Sequence, residues 1–265
     1  MTPLAECPRA TLAAIKGVLT DIDETVSTGG HLTPEAFSAL AALKAAGLLV
    51  IPVTGRPAGW CDMIARFWPV DAVVGENGAF WMWHDHKAHK LKTRFIQSDA
   101  ERAAGRRRLE AVRADVLREV PGSAIASDQP YRLADLAVDF CEDVPALPMA
   151  EVERIAAIFE RHGATARISS IHVNGWFGSY DKLTTSQAMM AELFGVDLAR
   201  DADSYAFVGD SPNDAPMFGF FANAVGVANV AAFADRLAHK PRWITRARSG
   251  AGFVELARAL IDARR

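Results

Sequence analysis

The sequence predicts a doubly wound α/β fold: a parallel sheet with helices on both faces, interrupted by an inserted α+β domain. Three observations predict it. Short apolar runs alternate with helix-period segments over the first part of the chain. That alternation lapses in a middle stretch where strands look paired and edge-like, and it resumes near Tyr180. The βαβαβ order of the first part implies parallel pairing with helices packed on both sides.

The elements follow in order. Residues 15–20 are rich in branched side chains and stop at Asp21-Ile22-Asp23, the pattern of a buried strand ending in a polar loop. Thr33 and Pro34 open a helix as N-cap and first helical residue. This helix is expected to carry Phe37, Leu40 and Leu43 inward and to end at Gly47. A strand over 48–53 reaches Thr54-Gly55-Arg56-Pro57, and Pro57 starts a helix running to about Phe67. Residues 71–75 make a third strand and 79–83 a fourth, followed by the polar turn His84-Asp85-His86-Lys87. A long polar helix covers 99–120, 131–140 is extended, 148–162 is helical and 164–173 is extended again. A helix over 182–194, a strand over 205–208, a short strand over 224–227 and a last helix over 252–263 complete the pattern. Residues 1–82 and 179–265 thus read as one core, and 83–178 as the insert.

Composition excludes several classes. The chain has 265 residues, half of them apolar, enough to bury a sizeable core. A formal net charge of −3 gives no electrostatic case for nucleic acid or a membrane surface as partner. Cys7, Cys61 and Cys141 are far apart and form no CxxC pair, so neither a disulfide framework nor a zinc knuckle is indicated. The N-terminus has no signal-peptide pattern, and no apolar run approaches the roughly 20 residues of a membrane span. A cytoplasmic location is expected. Nothing in the sequence decides the oligomeric state.

The polar clusters fall just after strands or at a helix start. Ligands of open α/β sheets bind outside the carboxyl ends of the strands, so Asp21, Asp23, Thr54, Lys182, Asp210 and Asp214 are placed to converge on one crevice. Four carboxylates sharing a crevice need a cation to offset their repulsion, and oxygen ligands suit Mg2+. A nucleophile, a metal and fixed donors around moving oxygens are the parts of phosphoryl transfer. Other features have plainer readings. His84, His86 and His89 fit a solvated hairpin, Arg106-Arg107-Arg108 an exposed helix face, and Trp81 and Trp83 packing.

The motifs carry a resemblance. Asp21-Ile22-Asp23-Glu24-Thr25, Thr54-Gly55-Arg56, Lys182 and Gly209-Asp210-Ser211-Pro212-Asn213-Asp214 resemble, in order and context, the four motifs of the haloacid dehalogenase (HAD) superfamily. The size and place of the insert, preceded by Gly75-Glu76-Asn77-Gly78-Ala79, are similar to the Cof-like, type IIB branch with a C2B cap. The resemblance implies a Rossmann-like core and a Mg2+-dependent phosphatase. In it, Asp21 is the nucleophile and Asp23 the acid and base. Asp21, the Asp23 carbonyl and Asp210 hold the metal, with Asn213 and Asp214 around it. Thr54, Gly55 and Lys182 bind phosphate. Glu24 departs from the pattern, because glycine usually follows the second Asp; a side chain is harder to place in that tight bend, and its carboxylate stands to disturb the metal or Asp23.

Arg56, Trp60, His172 and Asn174 are candidate substrate contacts, the first two from the Thr54 loop and the last two from the return out of the insert. Three functions stay open. The first is hydrolysis of a small phosphorylated metabolite, a sugar phosphate foremost. The second is a phosphomutase, which needs a further cationic cluster with Arg132 and Arg167 as members. The third is a non-catalytic phosphometabolite-binding protein.

Overall fold

The computed structural model describes residues 1–265. An edge strand β1 (Thr2–Pro3) and a short helix α1 (Arg9–Ala14) precede β2 (Gly17–Thr20), the branched run that ends at Asp21. Helix α2 (Pro34–Ala45) starts as expected, with Thr33 Oγ1 accepting from the Ala36 N–H, and the chain turns out through Gly47 at φ +80°. Then come β3 (Leu49–Pro52), α3 (Ala58–Phe67), β4 (Val73–Gly75) and a hairpin of β5 (Phe80–Asp85) and β6 (Lys90–Phe95). Phe37 does not face inward: it is 38% exposed, while Ala36, Ala39, Leu40 and Leu43 are buried. Residues 36, 40 and 43 share one helical stripe, and position 37 is turned about 100° away from 36.

The next segment builds a second unit. Helix α4 (Asp99–Glu119) opens with a reciprocal cap between Ser98 and Glu101. It is followed by β7 (Ala124–Ile125), β8 (Leu136–Asp139), α5 (Met149–Arg161), β9 (Thr165–Ile168) and β10 (His172–Trp176). The expected extended run over 131–140 is a strand only from Leu136, because the N–H groups of Leu133, Ala134 and Asp135 go to the Glu76 carboxylate and not to a neighbouring strand. The run over 164–173 is broken at Ser169-Ser170, where Ser169 Oγ accepts from the His172 N–H at 3.0 Å and makes a hairpin. The sheet order is β7-β8-β10-β9, all antiparallel. Leu109, Val112 and Val116 of α4 and Ile155, Ile158 and Phe159 of α5 bury one face of it.

The chain returns through α6 (Lys182–Phe194), α7 (Leu198–Asp201), β11 (Tyr205–Gly209), α8 (Ala215–Phe220), β12 (Asn223–Gly226), β13 (Trp243–Ile244) and α9 (Ser249–Asp262). The core sheet runs β1-β13-β12-β11-β2-β3, every pair parallel. A parallel bridge between Val53 and Val74 carries it on to β4 and the hairpin. Alternate strand residues serve opposite faces: Val18, Val50 and Val208 pack with α2 and α9, and Leu19, Ile51 and Phe207 with α6 and α8. A parallel sheet covered on both sides requires this near-continuous apolar character. Residue 83 lies inside β5, which pairs with β4, so the hairpin sits on the core sheet; the four-stranded sheet and its two helices lie between residues 99 and 176.

Candidate active site

The carboxyl ends of the central strands meet at one point. β2 ends at Thr20, so Asp21 leaves the sheet directly, with its N–H still donating to Val208 O at 2.9 Å. β11 ends at Gly209 and delivers Asp210 beside it. The carboxylate oxygens of Asp21, Asp210 and Asp214 lie within 4.8 Å of one another, and all three residues are buried. Lys182, the first residue of α6, sends its ammonium between two of them: Nζ donates to Asp21 Oδ1 at 2.7 Å and to Asp214 Oδ1 at 2.8 Å. A cation at a helix N-terminus opposes the helix dipole, and these two carboxylates offset that cost. Burial alone would lower the Lys182 pKa, but Asp21 and then Asp214 outweigh it and raise it.

Asp214 is aimed by the backbone. Its Oδ2 accepts from the Asp210 N–H at 3.1 Å, and a Cβ on Gly209 would lie 2.4 Å from the same oxygen. Burial, with Asp214 and Asp23 nearby, pushes the Asp21 carboxyl up to about 7 despite Lys182. Burial and the charges of Asp21 and Asp214 hold Asp210 well above the ordinary range. Asp210 Oδ1 is buried with no hydrogen-bond partner, while its Oδ2 accepts from Asn229 Nδ2 at 2.9 Å. A carboxylate oxygen left bare among like charges is the environment a hard cation relieves, so the residues present fit Mg2+.

The rim comes from both units. Thr54 is fully buried, and its Oγ1 accepts from the Arg56 N–H at 3.0 Å. Arg56 Nε donates to Asp23 Oδ1 at 2.9 Å and Oδ2 at 3.1 Å, and its Nη2 donates to Glu142 Oε1 at 2.8 Å across the gap between the units. His172 Nε2 lies 2.9 Å from Glu142 Oε2, an ion-pair distance without hydrogen-bond alignment. Contact with His172, and then Arg56, lowers Glu142 to about 2. Asn174 Nδ2 donates to Asp135 Oδ2 at 3.0 Å. The resulting cleft has about 20 Å3 of free volume and is lined by Asp21, Asp23, Gly55, Arg56, His172 and Asn174, with Ser211 and Asn213 on the core side. A much roomier groove of about 1060 Å3 lies elsewhere, beside Leu4, Glu35 and Arg258, and contains no motif residue.

Nearly every residue singled out in the sequence therefore stands at this cleft or in the acidic cluster behind it. Trp60 does not line it. Trp60 is 38% exposed and stacks under the Arg56 guanidinium, 4.4 Å from its ring centroid. Glu24 is turned away as well: its Oε1 accepts from the Gly29 N–H and its Oε2 from Ser249 Oγ, so it does not crowd the cluster. Glu76, Glu142 and Asn229 were missed. Glu76 alone left a signal, a carboxylate at the end of an apolar strand, in Gly75-Glu76-Asn77-Gly78.

A family model described as haloacid dehalogenase-like hydrolase matches residues 18–104, the segment carrying Asp21, Asp23 and Thr54. Over that segment the chain is similar to haloacid dehalogenase-like hydrolases. Solved structures extend the likeness of fold over nearly all of it. A HAD/COF-like hydrolase from Plasmodium vivax is 16% identical, with 96% of this chain and 99% of that one covered and a TM-score of 0.68. The sucrose-phosphatase of Synechocystis sp. PCC6803 is 14% identical over 94% and 98%, with a TM-score of 0.64. The subclass IIB sugar phosphatase BT4131 is 13% identical over 87% and 93%, with a TM-score of 0.60. Identities this low speak for the haloacid dehalogenase-like fold and its inserted second unit. No curated protein matches the chain, and no helix is long and apolar enough to cross a membrane.

Proposed function

We propose that the chain is a Mg2+-dependent phosphomonoester hydrolase, with Asp21 taking the phosphoryl group from a small phosphorylated metabolite, foremost a sugar phosphate. The observation that carries this reading is the buried set of Asp21, Asp210 and Asp214 around the Lys182 ammonium, with one Asp210 oxygen unpartnered. Likeness of fold to structures named sucrose-phosphatase and sugar phosphatase supports the substrate class. Within the 83–178 insert, the four-stranded sheet and its two helices act in this reading as a cap over the core.

Asp21 and Asp210 would hold Mg2+ through their carboxylates and Asp23 through its backbone carbonyl, with Asn213 and Asp214 around them. Bound there, Mg2+ supplies charge compensation for the carboxylates and for the phosphoryl oxygens. In the first step an Asp21 oxygen forms a bond to phosphorus as the ester P–O bond breaks, and Asp23 gives its proton to the leaving oxygen. In the second step Asp23 takes a proton from water, whose oxygen attacks phosphorus and releases phosphate from Asp21. Arg56, bound to Asp23 by Nε at 2.9 Å, keeps that carboxyl turned into the cleft. Lys182, Thr54 and the Gly55 backbone steady the phosphoryl oxygens, and loss of one such donor costs ~3–4 kcal/mol of barrier. The cleft is too small for a sugar phosphate, so the cap must open to admit one and close to exclude water.

A mutase reading has no support in the cap. Arg132, its first candidate for a second phosphate, is spent on Asp128, Asp135 and Gly55 O, and Arg167 bonds the Ala166 carbonyl. The test is release of inorganic phosphate from a panel of phosphorylated sugars with Mg2+. Turnover is expected for the wild type, with Asp21→Asn reduced by at least ~10^3-fold. A folded protein that hydrolyses nothing on the panel, or an undiminished Asp21→Asn variant, would overturn the reading.

A further inference from the structure

We infer that Glu24, Ser249 and Asn229 form a brace that positions the Asp210 carboxylate for its cation; this rests on the reading of Asp210 as a Mg2+ ligand. The geometry starts from a conflict. Glu24 stands at φ +54°, a left-handed conformation that side chains rarely adopt and that glycine adopts freely. The surroundings hold it there. Its N–H donates to Ser27 Oγ at 3.1 Å, its Oε1 accepts from the Gly29 N–H at 2.7 Å and its Oε2 accepts from Ser249 Oγ at 3.0 Å.

Ser249 is a second non-glycine residue with positive φ, +47°, and it is the first residue of α9. A carboxylate beside the start of that helix is favoured by the helix dipole. The Ser249 N–H donates to Asn229 Oδ1 at 2.9 Å. That bond sets the orientation of the Asn229 amide, because only its oxygen can accept. Asn229 Nδ2 then donates to Glu24 O at 3.0 Å and to Asp210 Oδ2 at 2.9 Å. Asn229 is 6% exposed, so little water competes for these bonds. One amide therefore joins the loop after the nucleophile, the start of the last helix and the carboxylate after β11.

The consequence falls on Asp210. With Oδ2 occupied by Asn229, the unpartnered Oδ1 is the oxygen presented to the cluster. Groups that orient a ligand in this way typically contribute ~10–100-fold to metal affinity. Glu24 and Asn229 are positioning residues, and the side chain at position 24 supplies a tie to α9 that a glycine cannot.

The experiment titrates Mg2+ alone into the metal-free full chain by calorimetry, with hydrogen exchange at the Ser249 amide as a second readout. Asn229→Ala is expected to weaken Mg2+ binding by ~10–100-fold and to speed Ser249 exchange. Glu24→Gly, which suits the left-handed backbone and so does not threaten folding, is expected to weaken binding several-fold. Glu24→Gln can still accept from Gly29 and donate to Ser249 Oγ, and is expected to bind as the wild type does. If the wild type takes up no Mg2+, or Asp210→Asn binds it equally well, the Mg2+ reading fails and this inference with it. If the wild type binds, Asp210→Asn does not, and both Asn229→Ala and Glu24→Gly bind at wild-type strength, the brace alone is overturned. Should Asn229→Ala not fold, the Glu24 pair decides.

Discussion

Gly209 shows how little room the site leaves to a single atom. A methyl group there would press on Asp214 Oδ2, which is held by the Asp210 N–H, while Asp214 Oδ1 receives the Lys182 ammonium. Neither partner can yield without unpairing a buried charge. Gly209→Ala is expected to lose ~1–3 kcal/mol of stability in chemical denaturation. It should also lower phosphate release by an order of magnitude or more, as expected when a positioned group shifts. An unchanged variant would show that Asp214 is free to move. Asp210 responds in the opposite sense. In the metal-free chain its charge is buried against Asp21 and Asp214, so Asp210→Asn should raise the melting temperature while abolishing the stabilisation that Mg2+ confers. A variant less stable than the wild type without metal would contradict this account of the cluster.

At the scale of elements, Glu76 pins the cap to the core. It sits in the turn between β4 and β5, and its carboxylate accepts from the Ala58 N–H on one side and from the Leu133, Ala134 and Asp135 N–H groups on the other. Burial, and then Asp135, raise its carboxyl to about 7 in spite of these donors. The folded pKa thus lies above the ordinary carboxylate value, and the folded chain holds a proton that the unfolded chain gives up. Stability from this group is present at low pH, falls as pH rises from the carboxylate range to about 7, and is level above that. Denaturation midpoints taken at saturating Mg2+, which removes the parallel contribution of Asp21 and Asp210, should fall across that window. Glu76→Gln should flatten the slope and cost ~1–3 kcal/mol for the N–H groups left unpaired. A slope that survives the substitution would assign it to another group.

Over the whole molecule, the cleft is closed by charge. Arg56 of the core reaches Glu142 of the cap, which also faces His172, so the two units are tied across the small free volume beside Asp21 and Asp23. Under the proposed function a substrate would have to break this tie, its anionic phosphate taking the place of Glu142 opposite Arg56. Each unit also has its own apolar core, one under each face of the core sheet and one between the cap sheet and its helices, and a smaller apolar cluster joins Ala134 and Trp176 of the cap to Ala58, Cys61 and Phe80 of the core. Units with cores of their own, joined by this small cluster and by polar contacts, favour relative motion as rigid bodies.

Much of this was legible in the sequence because it depends on local pattern. The branched runs ending at Asp21, Thr54 and Gly209 and the Thr33-Pro34 helix start mark strand and helix ends within a few residues of their causes. Motif order then placed Asp21, Asp23, Thr54, Lys182, Asp210 and Asp214 on one side of a parallel sheet. Only the tertiary structure decided the contacts that cross large sequence separations. The Arg56–Glu142 tie, the Glu76 contacts with 133–135 and the Glu24–Ser249–Asn229 brace join residues whose types are ordinary and whose spacing has no period. The direction of the Glu24 side chain, the exposure of Phe37 and Trp60, and the break at Ser169 were set by which neighbour each backbone group or side chain could reach. Periodicity determines which face of an element is buried, but a polar side chain far along the chain finds its partner only when the packed elements bring the two within hydrogen-bond distance.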